Sequence, residues 1–285
     1  MDLARTHDAA LHAVHVAPPR PQRGWWSRHD DAEALYEAQL AARREELDRL
    51  LATAAGLTTS AEVRTGVPHV EVVREALRVR ADLVVVAESP GHRPRGFGTV
   101  TMKLMRFCPV PVLAWRTGLK ANRSVLAAVD LSTHSEEETR LNSRIVELAS
   151  LLARQTSTSM VVFHAWELWG EQWLRGRGRA GHHDVDAIAD EAHTALAEAL
   201  QGLTESATVA RGVPRALLRK GEPHKLLPAV ILEQKAGLVV MGTVGRGILE
   251  GMLMGNTAER ILNELTTSVL AVKPAGFRSP IDESD

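Results

Sequence analysis

Five glycines crowd one short stretch of this chain. Gly242, Gly245, Gly247, Gly251 and Gly255 lie within VVMGTVGRGILEGMLMGNTAERIL, residues 239 to 262, between an apolar run and a stretch of helical character. Glycine disfavours helix and strand alike, so this density reflects backbone geometry or the close approach of something bulky. One chemistry that needs it is anion binding: without Cβ atoms, successive N–H groups close around a phosphate, and the next helix adds the positive end of its dipole. The stretch is not a Walker loop, because Gly255 is followed by Asn256 and Thr257 rather than Lys and Ser or Thr. It is not the dinucleotide fingerprint either, which needs a small residue where Glu250 stands and belongs after a first strand. On spacing alone the glycines fit a phosphate cradle or a tight strand-to-helix connection equally well.

Other residues of chemical interest carry less. Arg246, inside the loop, fits pairing with a phosphate or simple solvation. His15 and His164 hold equivalent places near strand ends and read as hydrogen-bonded scaffold. Gly181-His182-His183-Asp184 has metal-ligand types, but no further cysteine or paired histidine fixes a geometry, so no metal is expected. Cys108, before Pro109, reads as a small buried hydrophobe; as the single cysteine it excludes an intrachain disulfide and fits a reducing cytoplasm. No nucleophile–base or acid–base constellation is visible, and catalysis is not expected. Five of the six tryptophans fall in two segments, Trp25 and Trp26 in one and Trp166, Trp169 and Trp173 in the other. They read as a local lid over each sheet or as an apolar groove for a lipid-like ligand or a protein.

These residues sit in a chain that repeats itself. GVPHVEVVREALRVRADLVVVAE from Gly66 aligns without a gap on GEPHKLLPAVILEQKAGLVVMGT from Gly221, at an offset of 155. Val112-Leu113-Ala114-Trp115 matches Val269-Leu270-Ala271-Val272 at 157, and Ala13-Val14-His15-Val16 matches Val162-Phe163-His164-Ala165 at 149. Two copies of one unit are implied, residues 1–117 and 122–275, joined through RTGLKANRS. The 285 residues are 45% hydrophobic and 24% charged with net charge −1, which gives no support for a nucleic-acid partner, and no apolar run is long enough for membrane insertion. The first residues lack a basic-then-apolar secretory pattern.

The second copy alternates strictly between strand and helix. Strands are expected at 125–129, at 160–166, ending in 216–221, at 238–241 and at 268–272, with helices between them at 184–203, 222–235 and 256–265. Leu141, Ile145, Leu148 and Leu152 stripe the first helix, and Ser135 with Glu138 forms a capping-box pattern at its start. Apolar strands alternating with helices imply an α/β fold: an open, Rossmann-like parallel sheet with helices on both faces. The first copy is shorter. Arg123 precedes His164 by 41 positions, whereas Met1 precedes His15 by 14, a deficit of about 27 that equals the first strand and most of the first helix. An upstream start or a lost strand both account for it. With a central strand gone, strand two should pair directly with strand four or the sheet edges should lie open.

G-x2-G-x9-G, here Gly242, Gly245 and Gly255, resembles the nucleotide loop of the universal stress protein family. The surrounding GTVGRG, GNTAE and CPVPV wording, with two tandem copies, is similar to the E-type members. The resemblance covers essentially the whole chain. It implies two tandem five-stranded sheets of order 3-2-1-4-5, the first lacking its first strand, and ATP, alone or with Mg²⁺, as ligand of the second copy. Carried over by position, Asp130 would contact adenosine at the end of strand one and Ala165 would line the adenine side. The amides of Gly242, Thr243, Gly245, Gly255, Asn256 and Thr257 would hold the phosphates. Asn256 departs from the Ser or Thr usual there, but it can still donate. In the first copy Ala87 and Glu88 replace Gly242 and Thr243, and a carboxylate there repels phosphate. The chain therefore reads as a cytoplasmic stress-response regulator or sensor, its terminal strands joining the copies as an intrachain pseudo-dimer, with a homodimer also open. Its rivals are a binding module for an apolar ligand or protein, and a slow ATPase.

Overall fold

The computed structural model describes residues 2–20, 32–88, 95–116, 123–133, 135–171, 175, 182–244 and 254–281. Compactness divides it into two units, Met1–Ala81 with Ile281–Asp285, and Asp82–Pro280.

The first unit runs α1 (Asp2–Thr6), β1 (Leu11–Ala17), α2 (Ala32–Ala52), β2 (Thr59–Thr65) and α3 (Pro68–Arg78). β1 and β2 pair in parallel from Leu11↔Thr59 to Ala17↔Thr65. The repeated G-x-P-H motif explains the entry to α3: Gly66 takes φ +150°, its counterpart Gly221 takes +137°, and Pro68 and Pro223 open the helices that follow. Each glycine also donates its N–H to the matching strand end, Ala17 O at 3.0 Å and Trp166 O at 2.8 Å. α3 differs from its counterpart in what it buries. Glu71 and Glu75 lie inside, where the second copy has Leu226 and Val230. Buried carboxylates need partners. Glu75 accepts from Arg78 at 2.5 Å and pairs with His12 at 2.7 Å; Glu71 accepts from Arg64 at 3.2 Å and Arg74 at 3.1 Å. The Arg78 guanidinium, more than His12, holds the Glu75 carboxyl below the usual range.

The second unit contains β3 (Val84–Ala87), α4 (Thr99–Phe107), β4 (Val112–Trp115), β5 (Ser124–Ala128), α5 (Glu136–Gln155), β6 (Met160–Trp166), α6 (His182–Glu205), β7 (Arg215–Lys220), α7 (Pro223–Glu233), β8 (Ala236–Gly242), α8 (Asn256–Glu264) and β9 (Ser268–Val272). Its seven strands stand in the order β3-β4-β9-β8-β5-β6-β7. Neighbours run parallel except β4 and β9. The second copy alone, β7-β6-β5-β8-β9, has the expected order 3-2-1-4-5. Its central strands read as unbroken apolar runs because helices cover both faces, and Val125, Leu126, Leu238 and Val239 are fully buried. At the start of α5, Ser135 accepts from the Glu138 N–H at 3.2 Å, half of the expected capping box.

The first copy is distributed between the units. β1-β2 stand in one, while β3-β4 continue the sheet of the second copy, and no described strand corresponds to β5. The α/β class holds, but the first copy is not a separate sheet, because the strand that would join its halves in one ladder is not among those described. β3 ends the seven-stranded sheet, and β1 and β2 pair with each other. Along the chain the compact units divide at 81/82.

β4 and β9 form the expected junction. Leu113 faces Leu270, flanked by Val112↔Ala271 and Ala114↔Val269. Leu113 and Leu270 are equivalent at the offset of 157, so a local twofold passes through their pair. Beside this seam Lys273 is buried, its Nζ donating to Met105 O at 2.7 Å, Arg106 O at 3.2 Å and Thr243 Oγ1 at 2.8 Å. Burial, with Arg106 adding repulsion, pulls its pKa from the ordinary 10.5 to about 7, against the opposing pull of Cys108. Burial pushes the Cys108 thiol up to about 11. Between pH 7 and 8, below the range where the Cys108 thiol of the unfolded chain titrates, the unfolded chain keeps a Lys273 proton that the folded chain releases, so this group makes stability rise with pH, by about 1 kcal/mol across the window. Urea unfolding at several pH values should show that slope, and Lys273→Met should flatten it; an unchanged slope would contradict the assignment.

Candidate functional site

The crevice of an open parallel sheet lies beyond the carboxyl ends of the strands where the order reverses. Here that point falls between β5 and β8, whose connections leave in opposite directions. Ala128 pairs with Phe163 on one side and Met241 on the other, so continuing the register sets Asp130 level with Ala165 and Thr243. Three of the expected site residues thus meet at one end of the sheet.

Asp130 is held from three directions. Its backbone N–H donates to Asn142 Oδ1 at 3.1 Å, and Asn142 Nδ2 donates back to its carbonyl at 2.6 Å. Its carboxylate closes an Asx turn, accepting from the Ser132 N–H at 3.1 Å and from the Ser132 hydroxyl. His164, 2% exposed, sets Nδ1 3.1 Å from Val129 O and 3.5 Å from the Leu131 N. The shorter contact makes it a donor to Val129, the scaffold role expected for it. Asn142 was not anticipated, although its signal was visible: a polar residue inside the apolar stripe of α5, between Leu141 and Ile145. It is buried because it terminates β5.

The glycine stretch divides in its roles. A Cβ on Gly242 would stand 3.1 Å from Leu141 Cδ2 and 3.8 Å from Ile145 Cδ1, so this glycine admits α5 against the strand end. Thr243 is fully buried and faces the seam, its hydroxyl donating to Met105 O at 3.2 Å. Its amide donates to Val272 O at 3.3 Å, and its carbonyl accepts from the Gly255 N–H at 3.1 Å. The phosphate role expected for the amides of Thr243 and Gly255 is therefore corrected: both bond within the protein, since β8 must pair with β9 and the loop must close on itself. Asn256 and Thr257 fit better. They open α8, where a helix offers its first amides no acceptor, and the cap residue Gly255 brings no side-chain bond. Gly245 and Arg246 lie outside the described residues, as do Gly247 and Gly251.

Ala165, 9% exposed, pairs with Arg219 and leaves little side chain at the crevice wall. Trp166 is buried, with Lys220 Nζ 5.4 Å over its ring, whereas Trp169 is 94% exposed. The tryptophan segment of the second copy is thus not one continuous lid; Trp25, Trp26 and Trp173 lie outside the described residues. So do Gly181 and the side chains of His182, His183 and Asp184, and among the described residues no three His, Cys, Asp or Glu side chains converge on a metal-sized site. No described helix is long and apolar enough to cross a membrane. A cavity of about 250 Å³ opens elsewhere, between α4 and α8, lined by Phe97, Met102, Arg106, Glu259 and Asn263 among others. None of the expected site residues lines it.

Asn142→Ala should leave the buried amide and carbonyl of Asp130 without their side-chain partner, at a cost of about 1–3 kcal/mol in urea unfolding. Wild-type stability in this variant would show that the end of β5 does not depend on it.

The model of the Universal stress protein family matches residues 1–116 and 121–273. The universal stress protein E homolog of Haemophilus influenzae is 31% identical over 200 residues, covering 63% of this chain and 57% of the relative. Universal stress protein E of Salmonella typhi is 26% identical over 225 residues, with 76% and 69% covered. The matched region thus spans little more than half the length of the first relative. A universal stress protein of Mycobacterium bovis is 28% identical over 288 residues, covering 95% of this chain and 89% of its own. Among solved structures, a functionally unknown protein from Pseudomonas aeruginosa has a TM-score of 0.65 at 23% identity, covering 96% of this chain and 85% of that one. A universal stress protein from Archaeoglobus fulgidus has a TM-score of 0.57 at 18% identity, with 93% and 87% covered. These structures share the fold. By sequence, across two tandem copies of the unit, the chain belongs to the universal stress protein family.

Proposed function

We propose that the second copy binds ATP and that the chain acts as a stress-response regulator or sensor in the cytoplasm, without catalytic turnover. The observation that carries this reading is the coincidence, at the sheet's reversal point, of Asp130, fixed by Asn142 and Ser132, with the uncapped start of α8. The phosphates sit on the first amides of α8, at Asn256 and Thr257, with Gly245 and Arg246 on the loop before them. Asp130 takes the ribose, and Ala165 flanks the base.

Trp169 supports a second reading, in which the crevice side of β6 presents an apolar contact to a ligand or protein.

Calorimetry of the full chain with ATP, with and without Mg²⁺, separates these readings. Saturable binding with one site per chain is expected. Asn256→Asp keeps the side chain's size and suits a helix start, but sets a negative charge at the phosphate seat; it should weaken binding about tenfold or more, roughly 1.4 kcal/mol. Absence of ATP binding by the wild type would leave the second reading in its place. Single-turnover phosphate release that Asp130→Ala abolishes would instead make the protein a slow ATPase.

A further inference from the structure

In the first unit His12, on β1, lies opposite Ser60 in the register with β2. Its ring bridges two side chains: Nδ1 stands 2.7 Å from Ser60 Oγ, and Nε2 stands 2.7 Å from Glu75 Oε1 on α3. Burial falls off along this relay. The Glu75 side chain is 1% exposed and that of His12 18%, while Ser60 is open to solvent. Arg78, donating at 2.5 Å, keeps the Glu75 carboxyl ionised. An ionised carboxylate only accepts, so the proton of the neutral His12 ring sits on Nε2. Nδ1 then turns its lone pair to the Ser60 hydroxyl, which donates. Separations of 48 and 63 positions keep the three residues from forming a motif in the sequence. The second copy shows that the fold does not require them. There Val161 faces Arg215 in the same register and Val230 stands in place of Glu75, and both valines are buried. Apolar filling of these places avoids desolvating a charge.

We propose that Ser60 is an activated hydroxyl, the place at which the first unit accepts an acyl group from a small activated donor. An exposed hydroxyl, a neutral imidazole and a buried carboxylate stand in the order that nucleophilic acyl transfer requires. Ser60 Oγ bonds to the acyl carbon, and its proton passes to His12 Nδ1. The bond to the leaving group breaks, and that group departs with the electron pair. His12 then returns its proton to the leaving group or to solvent. A donor whose leaving group is stable as an anion needs only this base, and it reaches Ser60 from solvent. Glu75 acts through the ring and is a positioning residue: it fixes which nitrogen carries the proton. The product is an ester on Ser60, a covalent modification of the chain. This chemistry lies within the first unit and is independent of whether the second copy holds ATP.

Incubating the full chain with p-nitrophenyl acetate and mapping the acetylated peptides tests it. An acetyl ester at Ser60 is expected, formed together with an initial burst of p-nitrophenolate. Ser60→Ala, a change at an exposed position, should remove both. His12→Ala should slow acetylation of Ser60 by about a hundredfold or more, the range that a positioned base supplies. Added imidazole should restore part of that rate in the variant and accelerate the wild type less, which a merely structural role would not produce. If the alanine variant does not fold, His12→Asn carries the same comparison. For Glu75 the readout is nitrogen NMR of the His12 ring, which should place the proton on Nε2 in the wild type and lose that preference in Glu75→Gln. Acetylation of Ser60 no faster than that of other exposed serines would overturn the inference. So would a His12 variant that reacts at Ser60 as fast as the wild type, or a wild-type ring protonated on Nδ1.

Discussion

The structure depends on one strand. β5 is only five residues long, but it is hydrogen-bonded on both sides to parallel neighbours, and its register with β6 and β8 makes one sheet of the second copy. It is also where the strand order reverses, so that connections depart on both sides and a crevice opens beyond its end. The first copy has no such strand among its described residues. Its halves have no common ladder, β1-β2 form a separate pair, and β3-β4 extend a sheet that belongs to the other repeat. The division into compact units and the mixed sheet follow from this difference.

What holds the end of β5 is polar and buried. Asn142 reaches from α5 to both backbone groups of Asp130, and His164 reaches from β6 to Val129. Buried polar side chains are tolerated where they satisfy backbone groups that a terminating strand would otherwise leave exposed to the core. The seam uses the same device: Lys273 draws together the end of α4, the first loop residue after β8 and the end of β9. The loop following β8 is therefore fixed at Thr243 and delivered to α8 at Gly255, with the helix-start amides beyond.

Much of this was legible in the sequence because it rests on periodicity. The apolar runs at 160–166 and 268–272 became β6 and β9 at those bounds, and the two copies of G-x-P-H became two glycine-then-proline helix entries. The junction of the terminal strands was readable because the repeat itself placed equivalent residues there. The side-chain choices inside the motif were not. Spacing cannot tell that Gly242 serves the approach of Leu141, or that Thr243 looks to Lys273, since both depend on elements that are distant in sequence. Nor does an amphipathic pattern reveal that Glu71 and Glu75 turn inward, because their partners come from β1, β2 and the helix itself. An apolar stripe likewise does not specify the role of a polar residue within it, such as Asn142, whose partner lies at the end of β5.

The account requires that nucleotide engage the end of β5 and the start of α8 together. Amide hydrogen exchange of the full chain, with and without ATP, measures this at residue level. Slowed exchange at 130–132 and at 256–258, with 98–101 unchanged, is the predicted pattern. Protection confined to the walls of the α4–α8 cavity, or no protection at either segment of the crevice, would contradict it.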